Sequence, residues 1–401
     1  LKKAENISYL YFPIAGEAGL KSSFTPNLGG DAKIDQNTFL LEPVSAENLV
    51  NNRNSRNFWC NVKGIGSWSL TGHSAEELSK KFTEMQDDSE VTAGFMWQKT
   101  TRESKKYQLR GEILSFIPVD KNVEIMLVTI TNTGRMAQTV TPTAAIPLYG
   151  RSADNIRDHR HVTSLLHRIE TTDTGVLVTP TLSFDERGHQ VNHMTYYCVG
   201  WSGNGEKPVD FYPTAEDFVG EGGNFERPYA IVKNAEGVKA GTKIEGLEAV
   251  GGLHFSEITL EPEEECSYLI FTGITEDIQE IRNLSKTYTT REKVLEELEK
   301  TKAYWQEKVN VAYHTGDSDF NQFMHWVSFQ PILRRIYGCS FLPHHDYGKG
   351  GRGWRDLWQD CLALLIMNPD GVRQMLLDNF AGVRIDGSNA TIIGSKQGEF
   401  V

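Results

Sequence analysis

Short apolar runs alternate with turn residues from about residue 5 to residue 275, a pattern typical of antiparallel strands. Residues 123–132 alternate up to the turn signal Asn132-Thr133-Gly134, and residues 138–144 then alternate again. Three further runs fit the same pattern, at 175–180, 194–199 and 266–271. So many strands at this spacing predict two packed sheets, a β-sandwich.

One helix is predicted to interrupt these strands, over residues 74–82. Ser74 is the expected N-cap, and Glu77 three residues later completes a capping box.

The sequence period changes from strand to helix at about residue 287. A helix is predicted over residues 288–305, with charge pairing such as Glu296 with Lys300. Its apolar stripe consists of Val294, Leu298 and Trp305.

Three more helices are predicted closer to the carboxyl end. The first spans about 319–337, and Pro331 is expected to kink it or to end its first half. A glycine-rich loop over 338–353 follows, and helices resume at 354–366 and 370–380.

These patterns divide the chain into three parts and predict a multidomain β + α protein. Residues 1–285 form an N-terminal domain that is a large antiparallel β-sandwich, residues 286–315 a helical linker, and residues 316–401 the start of an all-α domain.

Composition and charge narrow the function classes. Hydrophobic residues make up 39% of the chain and charged residues 23%, and no apolar run is long enough to span a bilayer. The net charge is −12, from 53 acidic and 41 basic side chains, which argues against a nucleic acid as the main partner. The sequence therefore favours a soluble globular protein that needs no membrane partner.

The five cysteines are odd in number, widely spaced and without a CxxC pair, so neither a disulfide framework nor a zinc site is expected. Buried reduced thiols fit a cytoplasmic protein best. The chain opens on Leu1, so a lost leader or domain stays open, and the segment 394–401 has the pattern of an interrupted element.

The richest chemistry lies in residues 351–360, where arginine, carboxylates, an amide and two tryptophans follow one another. Asp356 and Asp360 are four residues apart, so a helix places both carboxylates on one face, and the same spacing joins Trp354 and Trp358. This mixture suits the binding of a sugar. The alternative is a purely structural helix start, in which Asp356 favours the helix dipole and the tryptophans belong to the core.

The loop before this motif adds cationic and imidazole groups between glycines. Lys349 and Arg352 suit an anion such as phosphate. A metal site is not predicted, because the adjacent His344 and His345 point to opposite sides of an extended segment. The loop also lacks the spacing of known nucleotide-binding loops.

Residues 353–360 resemble the motif Gly-aromatic-Arg-Asp-x-x-Gln-Asp of the inverting glycoside phosphorylases in the cellobiose and chitobiose phosphorylase family, glycoside hydrolase family 94. Residues 56–59, 68–71 and 128–134 are similar to the N-terminal sandwich of that family. Residues 386–390, with 394–397, look most like the β-1,2-oligoglucan phosphorylases, which also resemble part of the cyclic β-1,2-glucan synthases.

The resemblance implies a β super-sandwich, a helical linker and an (α/α)6 barrel, of which this chain holds the first helices. The implied reaction is reversible phosphorolysis, in which inorganic phosphate cleaves a β-linked gluco-oligosaccharide to α-glucose 1-phosphate with inversion. Phosphate is a co-substrate, and no cofactor is implied. The partners implied are these two substrates and the remainder of the barrel, and a homodimer stays open.

The resemblance also implies roles for single residues. The general acid is an aspartate expected beyond Val401. Arg355 and Asp360 look like the groups that bind the hydroxyls of the transferred sugar. Supporting groups on the same motif are Asp356, Gln359 and Trp354.

One departure from the family concerns phosphate. Relatives that act on cellobiose and chitobiose carry an arginine upstream of the glycine loop that helps to bind phosphate, and residues 341–344 contain none. Lys349, Arg352 and His345 are the candidates for this role.

Two functions other than phosphorolysis also fit the sequence. An inverting β-glucan hydrolase on the same scaffold needs a second carboxylate to activate water. A non-catalytic carbohydrate-binding β-sandwich needs only exposed aromatic side chains.

Overall fold

The computed structural model describes residues 1–7, 10–44, 55–158, 160–185, 188–338, 352–393, 398 and 400. Strands are the main regular elements of the amino-terminal two thirds. The strands, in chain order, begin with β1 Phe12–Ala15, β2 Lys21–Phe24, β3 Ala32–Asp35, β4 Thr38–Leu41, β5 Asn57–Val62, β6 Gly66–Ser69, β7 Asp88–Gly94, β8 Trp97–Ser104, β9 Leu109–Phe116, β10 Val123–Asn132, β11 Gln138–Leu148 and β12 Arg168–Thr171. The remaining strands are β13 Gly175–Val178, β14 Leu182–Asp185, β15 Gly188–Val191, β16 Thr195–Ser202, β17 Asp210–Thr214, β18 Lys243–Glu245, β19 Ala249–His254, β20 Ile258–Leu260, β21 Glu265–Thr275, β22 Arg352–Gly353 and β23 Ile392–Ile393.

The α-helices concentrate in the carboxyl third. They are α1 Ala75–Ser79, α2 Arg160–Thr163, α3 Ala215–Val219, α4 Tyr229–Lys233, α5 Ile278–Thr287, α6 Arg291–Lys308, α7 Ser318–Tyr337, α8 Trp354–Met367 and α9 Val372–Phe380. No helix in the described part of the chain combines the length and the apolar character needed to cross a membrane.

Two large antiparallel sheets form the sandwich that the alternating pattern predicts. One has nine strands in the order β18-β12-β13-β16-β21-β10-β9-β8-β7, and the other has the order β17-β19-β11-β5-β6 with β20 paired to β11. A four-stranded sheet, β1-β2-β3-β4, adds to the sandwich at the amino end, and its Ile14 and Phe24 belong to the same core.

Strand β10 explains how the helices attach to the sandwich. All of its residues are buried. Met126 and Val128 enter the core between the sheets, whereas Ile125 and Leu127 enter a second core on the opposite face. That second core is closed by Leu284 of α5 and Leu298 of α6. Because side chains alternate along a strand, one continuous apolar run serves both cores.

The structure corrects several details of the predicted elements. Helix α1 ends at Ser79 rather than at residue 82, and Phe82 has a φ of 67° that no helix tolerates. Ser74 accepts the predicted bond from Glu77 N, but the Glu77 carboxylate accepts from Asp87 N and pairs with Arg102. The short helices α2, α3 and α4 and the longer α5 were also missing from the predicted pattern.

The helical part contains two further corrections. Glu296 pairs with Lys293 rather than with Lys300, which lies beside Glu297. Helix α7 continues through Pro331 to Tyr337. The missing N–H and the ring clash of a mid-helix proline cost about 3 kcal/mol. Here the burial of neighbouring residues in the helical core offsets that cost; these are Phe329, Ile332 and Leu333.

Three of the four described cysteines are buried: Cys60, Cys198 and Cys361. Cys339 lies outside the described residues.

Candidate functional site

The motif begins where two short strands meet. Strands β22 and β23 pair in antiparallel fashion, with Arg352 opposite Ile393. The backbone N–H of Trp354 donates to Thr391 O at 3.0 Å, so the segment that follows α9 fixes the start of α8. Residues 391–393, which directly follow the family-like segment 386–390, therefore lie beside the start of the motif.

Gly353 is the N-cap of α8, and its lack of a side chain leaves room for Asp356. A Cβ at Gly353 would lie 2.3 Å from Asp356 Oδ2. The carboxylate folds back over the first turn of the helix, where it is favoured by the helix dipole.

Helix α8 separates the motif residues onto two sides. Asp360 lies on the buried side, together with Leu357, Cys361 and Leu364. Arg355 and Gln359 lie on the opposite, exposed side, and 81% of the Arg355 side chain is accessible. Five residues on an α-helix correspond to a rotation of about 140°. Arg355 and Asp360 therefore do not share one face.

Arg334 of α7 holds Asp360. The Nε of Arg334 donates to Asp360 Oδ1 at 2.8 Å and to Oδ2 at 2.9 Å, and Nη2 also donates to Oδ1. The side chain of Asp360 is 4% exposed, and that of Arg334 is 28% exposed. Hydrogen bonding to Asp360 raises the pKa of Arg334, and the negative charges of Asp360 and Asp356 add to this effect. Asp360 is thus the motif carboxylate that Arg334 binds, whereas Asp356 Oδ1 lies 3.2 Å from Arg355 Nη2.

An aromatic group backs the motif. The rings of Trp354 and Trp358 meet edge to face at 5.6 Å, and Trp358 meets Phe380 of α9 at 4.7 Å. Trp354 Nε1 donates to Asn379 O at 3.2 Å. Trp354 is therefore partly engaged in holding α8 against α9, which is the structural role that competes with sugar binding.

The phosphate candidates fall largely outside the described residues. Lys349 and His345 lie there, as do His344 and the rest of the loop over 339–351. The backbone of Arg352 is described, in β22. Among the residues that the structure describes, no group of three His, Cys, Asp or Glu side chains forms a metal site.

Sequence reasoning missed Arg334. It lies in the last turn of the predicted helix over 319–337, where a basic residue is ordinarily explained by the helix dipole. No spacing rule connects it to Asp360, because residues 339–351 separate the two helices and only the packing of α7 on α8 brings them together.

Comparison with known proteins gives a family and distant relatives. A family model described as Glycosyl hydrolase 94, supersandwich domain, matches residues 41–291. The cyclic beta-(1,2)-glucan synthase NdvB of Rhizobium meliloti (strain 1021) is 26% identical over 194 residues, which is 47% of this chain and 6% of that protein. The chain therefore spans about 6% of the length of this curated relative.

Two solved structures overlay on most of the chain. A bacterial glucoamylase complexed with acarbose has a TM-score of 0.49 at 10% identity, covering 97% of this chain and 50% of its own. A provisionally assigned kojibiose phosphorylase from human microbiome has a TM-score of 0.46 at 9% identity, covering 94% and 46%.

Proposed function

The chain belongs to glycosyl hydrolase family 94, and from this premise we propose that it is part of an inverting glycoside phosphorylase acting on β-linked gluco-oligosaccharides. The observation that carries the proposal is the buried carboxylate of Asp360 in α8, which Arg334 of α7 holds. Arg355, Asp356 and Gln359 lie on the same helix α8. A fixed carboxylate with further guanidinium, carboxylate and amide groups on one helix suits a polyhydroxylated, neutral ligand.

In the proposed reaction an oxygen of inorganic phosphate forms a bond to the anomeric carbon while the glycosidic C–O bond breaks. A general acid gives its proton to the leaving oxygen, and the attack from the opposite face inverts the configuration. We assign the acid to no residue of this chain. The motif residues hold the transferred glucose, and Arg352, Lys349 and His345 are the proposed phosphate contacts.

The proposed linkage is β-1,2. The relative from Rhizobium meliloti is by its name a synthase of cyclic β-1,2-glucan, and the resemblance of residues 386–390 points to the same linkage. Disaccharides of this linkage, such as sophorose, are therefore the first substrates to test.

We also propose that further helices complete the barrel that residues 316–401 begin. The proposed domain boundaries lie at residues 285 and 315. Helix α8 exposes an apolar stripe that continues the line of Arg355 and Gln359; Leu362 is 68% exposed and Ile366 is 76% exposed. Large exposed apolar surfaces mark sites of association. Further barrel helices that cover this stripe would bring new groups opposite Arg355 and Gln359. The buried thiols of Cys60 and Cys198, which form no disulfide in the described part of the chain, support a cytoplasmic location.

An assay of the intact protein with phosphate and a panel of β-1,2-, β-1,3-, β-1,4- and β-1,6-linked glucose disaccharides tests the proposal. We expect α-glucose 1-phosphate from the β-1,2-linked disaccharide, in proportion to phosphate and identified by NMR. Release of free glucose that does not depend on phosphate would indicate the hydrolase. Glucan binding that survives removal of residues 310–401, with no product, would indicate a binding module. The absence of glucose 1-phosphate from every disaccharide would refute the phosphorylase.

A further inference from the structure

The last turn of α7 connects the motif helix to the sandwich. Arg334 reaches Asp360 of α8, and the next residue, Arg335, reaches Glu17 in the turn between β1 and β2. Arg335 Nη1 donates to Glu17 Oε2 at 2.9 Å, and Nη2 donates to Oε1 at 2.6 Å. Two adjacent arginines thus form forked ion pairs with two different parts of the molecule.

The end of the same helix is fixed to the four-stranded sheet by buried contacts. The Tyr337 hydroxyl lies 2.8 Å from Ser22 O and 3.0 Å from Ile14 O, and its single proton serves one of these carbonyls at a time. Lys21 Nζ donates to Ile336 O at 3.3 Å. These bonds determine where the Arg334 backbone lies relative to the sandwich.

The forked contact restricts Asp360 more than a point charge would. A guanidinium is planar and presents its donors in a fixed geometry, so it sets both the position and the plane of the carboxylate. Because the fork contacts both oxygens, the lone pairs of the Asp360 carboxylate have fixed directions.

We propose that Arg334 is a positioning residue that orients the Asp360 carboxylate for its hydrogen bonds to the transferred glucose. This inference rests on the proposed function of Asp360. The inference adds that α7, which is fixed to the amino-terminal sheet, determines where the sugar site lies relative to the sandwich. A misplacement of a binding group by about 1 Å costs roughly 100-fold in rate, so the fork affects catalysis beyond its effect on stability.

The test compares Arg334→Gln, Arg334→Lys, Asp360→Asn and the double variant Arg334→Gln/Asp360→Asn in the intact protein. The assay is the synthetic direction, with glucose 1-phosphate and glucose as acceptor. For Arg334→Gln we expect kcat/KM for glucose 1-phosphate to fall about 100-fold, with a smaller loss for Arg334→Lys. The double variant should be no worse, within about fivefold, than the less active of the two single variants, because both substitutions remove one arrangement.

Arg335→Gln is the matched control, since it removes the neighbouring fork without touching the motif. Loss of that half-exposed pair should change kcat/KM by less than about fivefold. Thermal unfolding of each variant is followed in parallel, and rates are measured well below the lowest midpoint. An equal loss in Arg334→Gln and Arg335→Gln, or independent losses that multiply in the double variant, would overturn the positioning role.

Failure of the proposed function gives a different result. If the unsubstituted protein forms no product, binding of sophorose by calorimetry replaces the rate as the readout. A weaker affinity in Arg334→Gln than in Arg335→Gln then supports the positioning role without phosphorolysis. If the unsubstituted protein neither reacts with nor binds the sugar, both proposals fall.

Discussion

His167 is buried, and each of its ring nitrogens lies 3.1 Å from a carbonyl oxygen, that of Leu247 or that of Tyr149. Burial, with the Arg151 guanidinium nearby, lowers the pKa of His167 to about 4. An unfolded histidine has a pKa of about 6.5. Between these two pH values His167 is protonated in the unfolded chain but neutral in the folded chain. The free energy of unfolding therefore decreases as the pH falls from about 6.5 to about 4.

We expect this residue to contribute a loss of up to about 3 kcal/mol over that pH range. Urea unfolding at pH 7.0 and at pH 4.5 measures the loss, and His167→Gln should reduce it. The exposed His193→Gln variant is the control and should keep the pH dependence of the unsubstituted protein. Parallel losses in all three proteins would show that carboxylates rather than His167 are responsible.

Single residues also show what a sequence motif cannot predict about the structure. Gly353 is explained by the close approach of Asp356, which the sequence does not reveal. The four-residue spacing of Asp356 and Asp360 places both residues on one side of α8, but their carboxylates pair with different arginines, Arg355 and Arg334. The same rule separates Arg355 from Asp360, so a shared role in sugar binding requires that the ligand or another segment spans two sides of α8.

Helix α6 shows how well an element is predicted when its apolar stripe is regular. Val294, Leu298 and Trp305 are all buried, as the stripe indicates. Helix α7 shows the opposite case: Pro331 is expected to kink the helix or to end its first half, and the second alternative is wrong because the helix continues to Tyr337. The predicted strands agree with the structure in position, whereas their ends shift by a few residues because fraying and turn geometry decide them.

Trp305 is the largest of the buried side chains of α6. It is fully buried between the helices and meets Phe329 of α7 edge to face at 6.2 Å. We expect Trp305→Ala to lower the free energy of unfolding by about 3–5 kcal/mol, because it removes a large apolar side chain and leaves a cavity. The exposed Glu307→Ala in the same turn should change it by less than about 0.5 kcal/mol. Chemical denaturation measures both, and similar small effects would mean that α6 is not packed as described.

The last two described helices of the molecule expose several large apolar side chains. Leu362, Leu365 and Ile366 of α8 are exposed, and Leu377 and Phe380 of α9 add to this area. Barrel helices beyond the described ones, or a second copy, would remove this area from water.

The 401-residue chain on its own should therefore associate through this surface. We expect sedimentation velocity to show self-association that weakens at least tenfold when Leu362 and Ile366 are both replaced by Glu. Phe82→Glu changes an equally exposed apolar side chain on the sandwich and should leave the association unchanged. Association that is insensitive to the α8 substitutions would place the contact elsewhere.

The pattern of side chains alone is enough to predict the sandwich and the long helix that follows residue 287, but not helix α5, which already begins at Ile278. The predicted features depend on the period of side chains along a strand or helix, which neighbouring residues fix. Tertiary packing was needed to show that Arg334 holds Asp360, that α7 passes through Pro331 and that β23 returns to the motif. Each of these depends on residues distant in sequence, whose contacts arise when buried apolar surface brings whole elements together.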